Sequence, residues 1–184
     1  MYMEKSIRSF LVPVLIISLM ACGYKVESQV VKGNSERSPD NKSPLKGAVI
    51  KNDIDIEASN VKVKAAYLMT EDAQYKENNT AKLNERVILT IALDTGWTKH
   101  NGITFLGASE QIFDKDGTVV LDAKDLFSNL DEKGLESKVA YNINLSAFIE
   151  SIEPGYEEFT VKFRVWDKKG NGEVKGKYKF KIVE

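Results

Sequence analysis

From Ala48 to the C-terminus, apolar and polar residues alternate with a period of two, the spacing of strands with one buried and one wetted face. Val61, Val63, Ala65, Tyr67 and Met69 alternate with Lys62, Lys64, Ala66 and Leu68, predicting one strand with a buried and a wetter face. Residues 86–94 are almost continuously apolar and β-branched, which predicts a central strand covered on both faces. Ile54 and Ile56, separated by Asp55, predict an edge strand or a lead-in. Residues 110–113 and 118–121 flank Asp114-Lys115-Asp116-Gly117, a hairpin signal. In the last third, Val139, Tyr141, Ile143 and Leu145 predict a strand. Phe159, Val161, Phe163 and Val165 then alternate with Thr160, Lys162, Arg164 and Trp166. Val174, Tyr178, Phe180 and Ile182 return against a solvated row of Lys175, Lys177, Lys179 and Lys181. The six residues 167–172 between these last two strands are too few for a parallel crossover, so that pair is antiparallel. Helical spacing occurs once, where Leu126 and Leu130 follow Asp122 as an N-cap.

About seven strands with one short helical turn predict an all-β fold of two packed antiparallel sheets over residues 48–184. A β-barrel is the alternative. Residues 143–182 resemble the last three strands of immunoglobulin-like or fibronectin-type envelope domains. The carriers are a strand, a Pro154-Gly155-Tyr156 corner, an alternating strand ending in Asp167, a Gly170-Asn171 turn and a final strand. The resemblance implies an immunoglobulin-like sandwich, without the cysteine pair and core tryptophan of antibody domains.

The first residues follow a different rule. Lys5 and Arg8 precede an apolar run from Phe10 to Met20. As a helix this run would span about 16 Å, half of a ~30 Å bilayer core, which suits a secretory signal better than a membrane span. Leu19-Met20-Ala21-Cys22 resembles a lipobox, which implies a bacterial lipoprotein: a signal peptide over 1–21, cleaved to leave Cys22 acylated. Two or three acyl chains would anchor the protein firmly to the membrane. Gly23 in place of aspartate after the cysteine implies the outer membrane, with the periplasmic and surface faces both open. Residues 22–47 are polar and carry Pro39 and Pro44, and they read as a flexible linker reaching about 25–30 Å.

Loss of Glu4, Lys5 and Arg8 with the leader leaves 24 basic and 26 acidic side chains, a balance that gives no case for nucleic acid. With Cys22 as the sole cysteine, no internal disulfide forms, and a hydrophobic core must supply the stability. His100 is the sole histidine, which leaves no histidine-rich metal site. Neither a Gly-x-Ser-x-Gly elbow nor a phosphate-cradling glycine loop is present. No cofactor is expected. Asp114, Asp116 and Asp167 are calcium candidates, although Lys169 sits where a calcium loop wants an oxygen, and hairpin turns explain the same residues. Recognition is the leading function, with a protein or glycan of the envelope as partner. The contact candidates are Trp97, Lys99, His100 and Asn101 in one loop, with Trp166 and Asn171 near another. The alternative is a hydrolase or inhibitor-type lipoprotein acting through a cleft with paired carboxylates.

Overall fold

The computed structural model describes residues 44–183, so the expected signal peptide, Cys22 and most of the expected linker lie outside the described residues. Positions 44–47, read from sequence as the end of the linker, form a turn. The Pro44 carbonyl accepts from the Val63 amide at 3.0 Å, which ties this turn to the sandwich.

Two open sheets make up the domain. The first has the order β1 (Val49–Ile50), β3 (Lys62–Met69), β5 (Val87–Thr95), β10 (Asn142–Ala147). The second has the order β2 (Asp55–Ser59), β12 (Glu173–Ile182), β11 (Glu158–Asp167), β7 (Leu106–Phe113), β8 (Val119–Ala123), with β4 (Thr80–Ala81) beside the end of β12. A short separate pair joins β6 (Ile103–Thr104) to β9 (Leu135–Glu136). The fold is all-β and sandwich-like. With β3, β5, β7, β8, β10, β11 and β12 counted in chain order, strands one, two and five form one sheet and seven, six, three and four the other. Among the described residues no helix is long and apolar enough to cross a membrane.

Most strands keep the predicted alternation, and three departures have local causes. In β3 the buried positions switch from Val61 and Val63 to Ala66 and Leu68, because the pairing with β5 slips between Lys62 and Ala65. A bulge adds one residue and turns every later side chain over. Residues 122–123, expected to open a helical turn, instead complete β8, where Asp122 pairs with Gln111. The helical turn shrinks to a 3₁₀ segment, Ser128–Leu130, with no side-chain cap. Strand β5 is central as predicted, with Val87, Leu89, Ile91 and Leu93 buried, but Ile88 and Ala92 on its other face are half-buried.

Two asparagines link the sheets. Asn52 Oδ1 accepts from the Leu68 amide of β3 at 2.9 Å, and Asn79 Nδ2 donates to the carbonyls of Asn52 and of Lys179 in β12 at 2.8 and 2.9 Å. Asn52 stands at φ 58°, a left-handed backbone that asparagine tolerates better than most residues.

One core position breaks the apolar rule. Glu110 on β7 shares the inward parity of Ala108 and Ile112 and is 1% exposed. Neither Glu110 Oε1 nor the buried Tyr178 hydroxyl reaches a hydrogen-bond partner. Burial pushes the Glu110 carboxyl from 4.5 up to about 8 and raises the Tyr178 phenol, with Glu110 adding to the latter. A carboxyl whose pKa is raised by folding stabilises the native state fully below its unfolded pKa. That contribution is lost as pH climbs through the folded value. Carboxylates that folding lowers, such as Glu85 and Asp125, lose their contribution only in acid, below the Glu110 window. Between pH 5 and pH 8 the protein should therefore lose on the order of 3 kcal/mol of stability. Urea unfolding at the two pH values should show this loss in the wild type, and Glu110→Gln should flatten it.

Candidate functional site

The two loops singled out by sequence meet at one end of the sandwich. Asp167, buried at the end of β11, accepts from the Thr98 amide through Oδ2 at 2.6 Å and from the Lys169 amide through Oδ1 at 2.9 Å. Both carboxylate oxygens thus serve the loops' own backbone. Asp114 does the same in its hairpin, where Oδ1 accepts from the amides of Asp116 and Thr118 at 2.9 and 2.8 Å. Asp116 engages the Tyr156 hydroxyl, and this bond to a carboxylate raises the phenol's pKa. Among the described residues no group of three or more histidine, cysteine, aspartate or glutamate side chains is arranged to hold a metal ion. The carboxylates of Asp114 and Asp167 are thus engaged by backbone amides, and that of Asp116 by Tyr156.

Trp97 requires a correction. It is 5% exposed, and its Nε1 donates to the Ala140 carbonyl at 2.8 Å, so it is a core side chain and not a contact residue. Its ring also lies against Gly172, where an added Cβ would come within 2.9 Å of it. A glycine-flanked loop looked like a display device, but the glycines let the loop fold over its own aromatic anchor. Lys99, His100 and Asn101 beyond it are exposed. Lys99 Nζ sits 5.2 Å from the Tyr141 ring centre, and His100 packs edge-on to Phe105. Asn171 is exposed, and its carbonyl accepts from Asn60 Nδ2 at 3.0 Å.

Trp166 belongs elsewhere. It faces outward from β11 and lies flat across Gly107 of β7, where an added Cβ would fall 2.2 Å from its ring. The Arg164 guanidinium stacks 5.0 Å from the ring centre. One position further from Arg164, Lys162 Nζ sits 4.5 Å from the Phe113 ring on β7. The two cations of β11 therefore each rest on an aromatic face.

Extending these contacts across the sheet by its register gives an ordered lattice on the solvent face. One row runs Glu57, Lys175, Arg164, Ser109, and the next runs Asp55, Lys177, Lys162, Gln111. Along each row the strands are about 5 Å apart, and the rows are about 7 Å apart. These eight side chains line a shallow concavity of about 400 Å³. Its centre is a square of four cations, with Lys162 directly opposite Lys177 and Arg164 directly opposite Lys175. Like charges in such positions destabilise a sheet by a few tenths to about 1 kcal/mol. The carboxylates of Asp55 and Glu57 flank the square on β2, at 3.4 Å from Lys177 and 3.3 Å from Lys175. Glu173 takes Arg164 Nε at 2.7 Å. Lys162 is left with its aromatic neighbour and open solvent.

No protein-family model matches the chain, and no curated protein matches it.

The sequence pattern marks the lysine row of β12 as a solvated face and Lys162 and Arg164 of β11 as alternating with apolar residues, each strand by itself. Alternation says which side a residue faces, but only the register says which residue stands opposite. Glu110 was within reach, since its parity with Ile112 puts it inside. Trp97 should behave as a core residue, with Trp97→Ala costing about 3–5 kcal/mol in chemical denaturation. A cost under about 1 kcal/mol would return the ring to the surface.

Proposed function

We propose that this chain is a lipid-anchored recognition protein of the bacterial envelope, acylated at Cys22 and displaying its sandwich on a tether for non-catalytic binding. The lipobox supports the anchor, and Gly23 favours the outer membrane. The observation that carries the binding reading is the square of like charges on the second sheet. Asp55 and Glu57 stand across from Lys177 and Lys175 on the β2 side, but on the β11 side lysine faces lysine and arginine faces lysine. The fold holds four cations together on rigid strands, where backbone pairing fixes their positions.

The surface is a large polar platform, suited to an extended ligand or a partner's face. It sits away from the end of the sandwich that holds Lys99, His100, Asn101 and Asn171, so recognition is assigned to the sheet and not to those loops.

Two measurements test the reading in the native host. Labelled palmitate should enter the wild type, whereas Cys22→Ser should remain an unlabelled, larger precursor that is washed off membranes. The purified mature protein should sediment with isolated envelope fragments. Replacing Lys162 and Lys177 by glutamine should weaken that association about tenfold or more, a loss of at least ~1.4 kcal/mol. Unchanged sedimentation of the double variant would remove the sheet face from the account.

A further inference from the structure

We propose that two copies of this chain pair edge to edge through β10, antiparallel, about a two-fold axis at Asn144. The proposal concerns the first sheet and stands apart from the recognition reading, which uses the outer face of the second.

A sheet edge presents a row of unpaired backbone donors and acceptors, and folds that stay apart blunt it with shortness, charge, proline or a bulge. The two main sheets have four edges. Strand β1 is two residues long, and β2 carries the exposed carboxylates of Asp55 and Glu57. The pairing of β8 with β7 is broken by a register shift, and β8 carries Asp122 with Lys124 beside it. Strand β10 has none of these devices. It runs for six residues, pairs with β5 without a slip from Asn142 to Ala147, and contains neither charge nor proline. The Asn142 amide donates to the Val139 carbonyl within its own turn at 3.1 Å. Otherwise, among the described residues, no backbone group of β10 has a backbone partner outside β5.

The face beside this edge is also free of charge. Three rows run inward from it by register: Asn142, Ala92, Ala65; then Asn144, Thr90, Tyr67; then Ser146, Ile88, Met69. These nine outward positions hold no charged residue, in a chain that is 29% charged. The ion pairs Lys62–Asp94 and Arg86–Glu71 stand beyond the ends of the rows. Loss of charge at the centre with charge at the rim is the compositional mark of a protein–protein contact.

The pattern of β10 fits a second copy of itself. With Asn144 on the axis, Ile143 stands opposite Leu145 of the second copy, and Asn142 opposite its Ser146. Ile143 and Leu145 are buried, and Asn142, Asn144 and Ser146 face outward. Every opposed pair is then matched, apolar toward the core and neutral and hydrogen-bonding outside. A lysine or aspartate at Asn144 would oppose its own like charge across the axis, and the chain places none there. The contact is isologous and closed: each copy covers the other's unguarded edge and leaves none for a third. The cationic face of the other sheet stays uncovered.

The test uses the mature chain, residues 22–184, with Cys22→Ser so that lipid does not gather the copies. A five-residue ladder is a small interface, so analytical ultracentrifugation should show a monomer–dimer equilibrium near ~10 µM, with no larger species. A monomer at every concentration up to ~100 µM, or growth beyond two copies, would overturn the proposal. Asn144→Asp keeps the oxygen that accepts from Thr90 Oγ1 at 2.8 Å, and should weaken the dimer about tenfold or more while leaving the urea midpoint of the monomer unchanged. The same exchange at the exposed turn, Asn171→Asp, should leave the dimer intact, and an equal loss there would overturn the proposal. Register is read separately by cysteines added to the Cys22→Ser chain. Opposed residues lie about 4.5–5.5 Å apart at Cα, within disulfide reach, so Asn144→Cys should cross-link to itself on mild oxidation. Asn142→Cys should not, because its own copy lies about 14 Å along the ladder, but it should cross-link to Ser146→Cys. Self-cross-linking of Asn142→Cys as fast as that of Asn144→Cys would overturn the proposed pairing.

Discussion

Strand β11 is hydrogen-bonded on both sides, to β12 through residues 158–166 and to β7 through residues 160–167. This double pairing sets the side of the sheet on which every neighbouring residue falls. Phe159, Val161, Phe163 and Val165 point into the core, and Thr160, Lys162, Arg164 and Trp166 point out. A slip of one residue would drive Lys162 and Arg164 into the apolar layer and expose the phenylalanines, so the register is strongly specified. Gly176 shows how tight the inner layer is. It stands opposite Phe163, and a Cβ there would meet the Asp55 carbonyl at 2.1 Å and the Phe163 ring at 2.7 Å. Only glycine lets β2 and β12 close over that ring. The contact that completes the core therefore also brings Asp55 and Glu57 alongside the lysines outside it.

The fold was legible in the sequence where one face is plainly wet. The lysines at 175, 177, 179 and 181 announce β12, and Asp116-Gly117 announces the β7–β8 hairpin. Legibility failed where a tertiary partner overrode the local pattern. Nothing near Val63 signals the bulge in β3, because it is settled by how β3 pairs with β5. Asp122 has the chemistry of a helix cap, yet the free edge of β7 claims it for a strand. Trp97 was misread for a related reason: a turn-rich loop folds inward when its aromatic ring can satisfy its N–H on a buried carbonyl, here that of Ala140. Each of these outcomes depends on a residue more than forty positions away or on a neighbouring strand's register.

The candidate site was less visible still, because it consists of pairings. Lys162 and Lys177 are unremarkable surface lysines in sequence, and Arg164 and Lys175 equally so. Their significance comes from standing face to face across one ladder. At physiological salt the screening length is about 8 Å, longer than the ~5 Å between paired strands. The four cations therefore feel one another, and the cost of assembling them is not screened away.

Protection of a sheet edge is the competing explanation for charged strands, since lysines on edges deter aggregation. The lattice does not fit it. Strand β12 is an interior strand, covered by β2 on one side and β11 on the other, so its lysines guard no edge. The edge beside them is β2, which carries the carboxylates of Asp55 and Glu57. The opposite edge, β8, is left with Val119 at 50% and Val120 at 45% exposed. Edge protection would put charge on β8 before concentrating it at the centre of the sheet. The observed distribution puts acid on both flanks, Asp55 and Glu57 on β2 and Asp122 opposite Gln111 on β8, with the cations on the interior strands between them. Cations gathered on interior strands between two acidic flanks guard neither edge, so edge protection does not account for them.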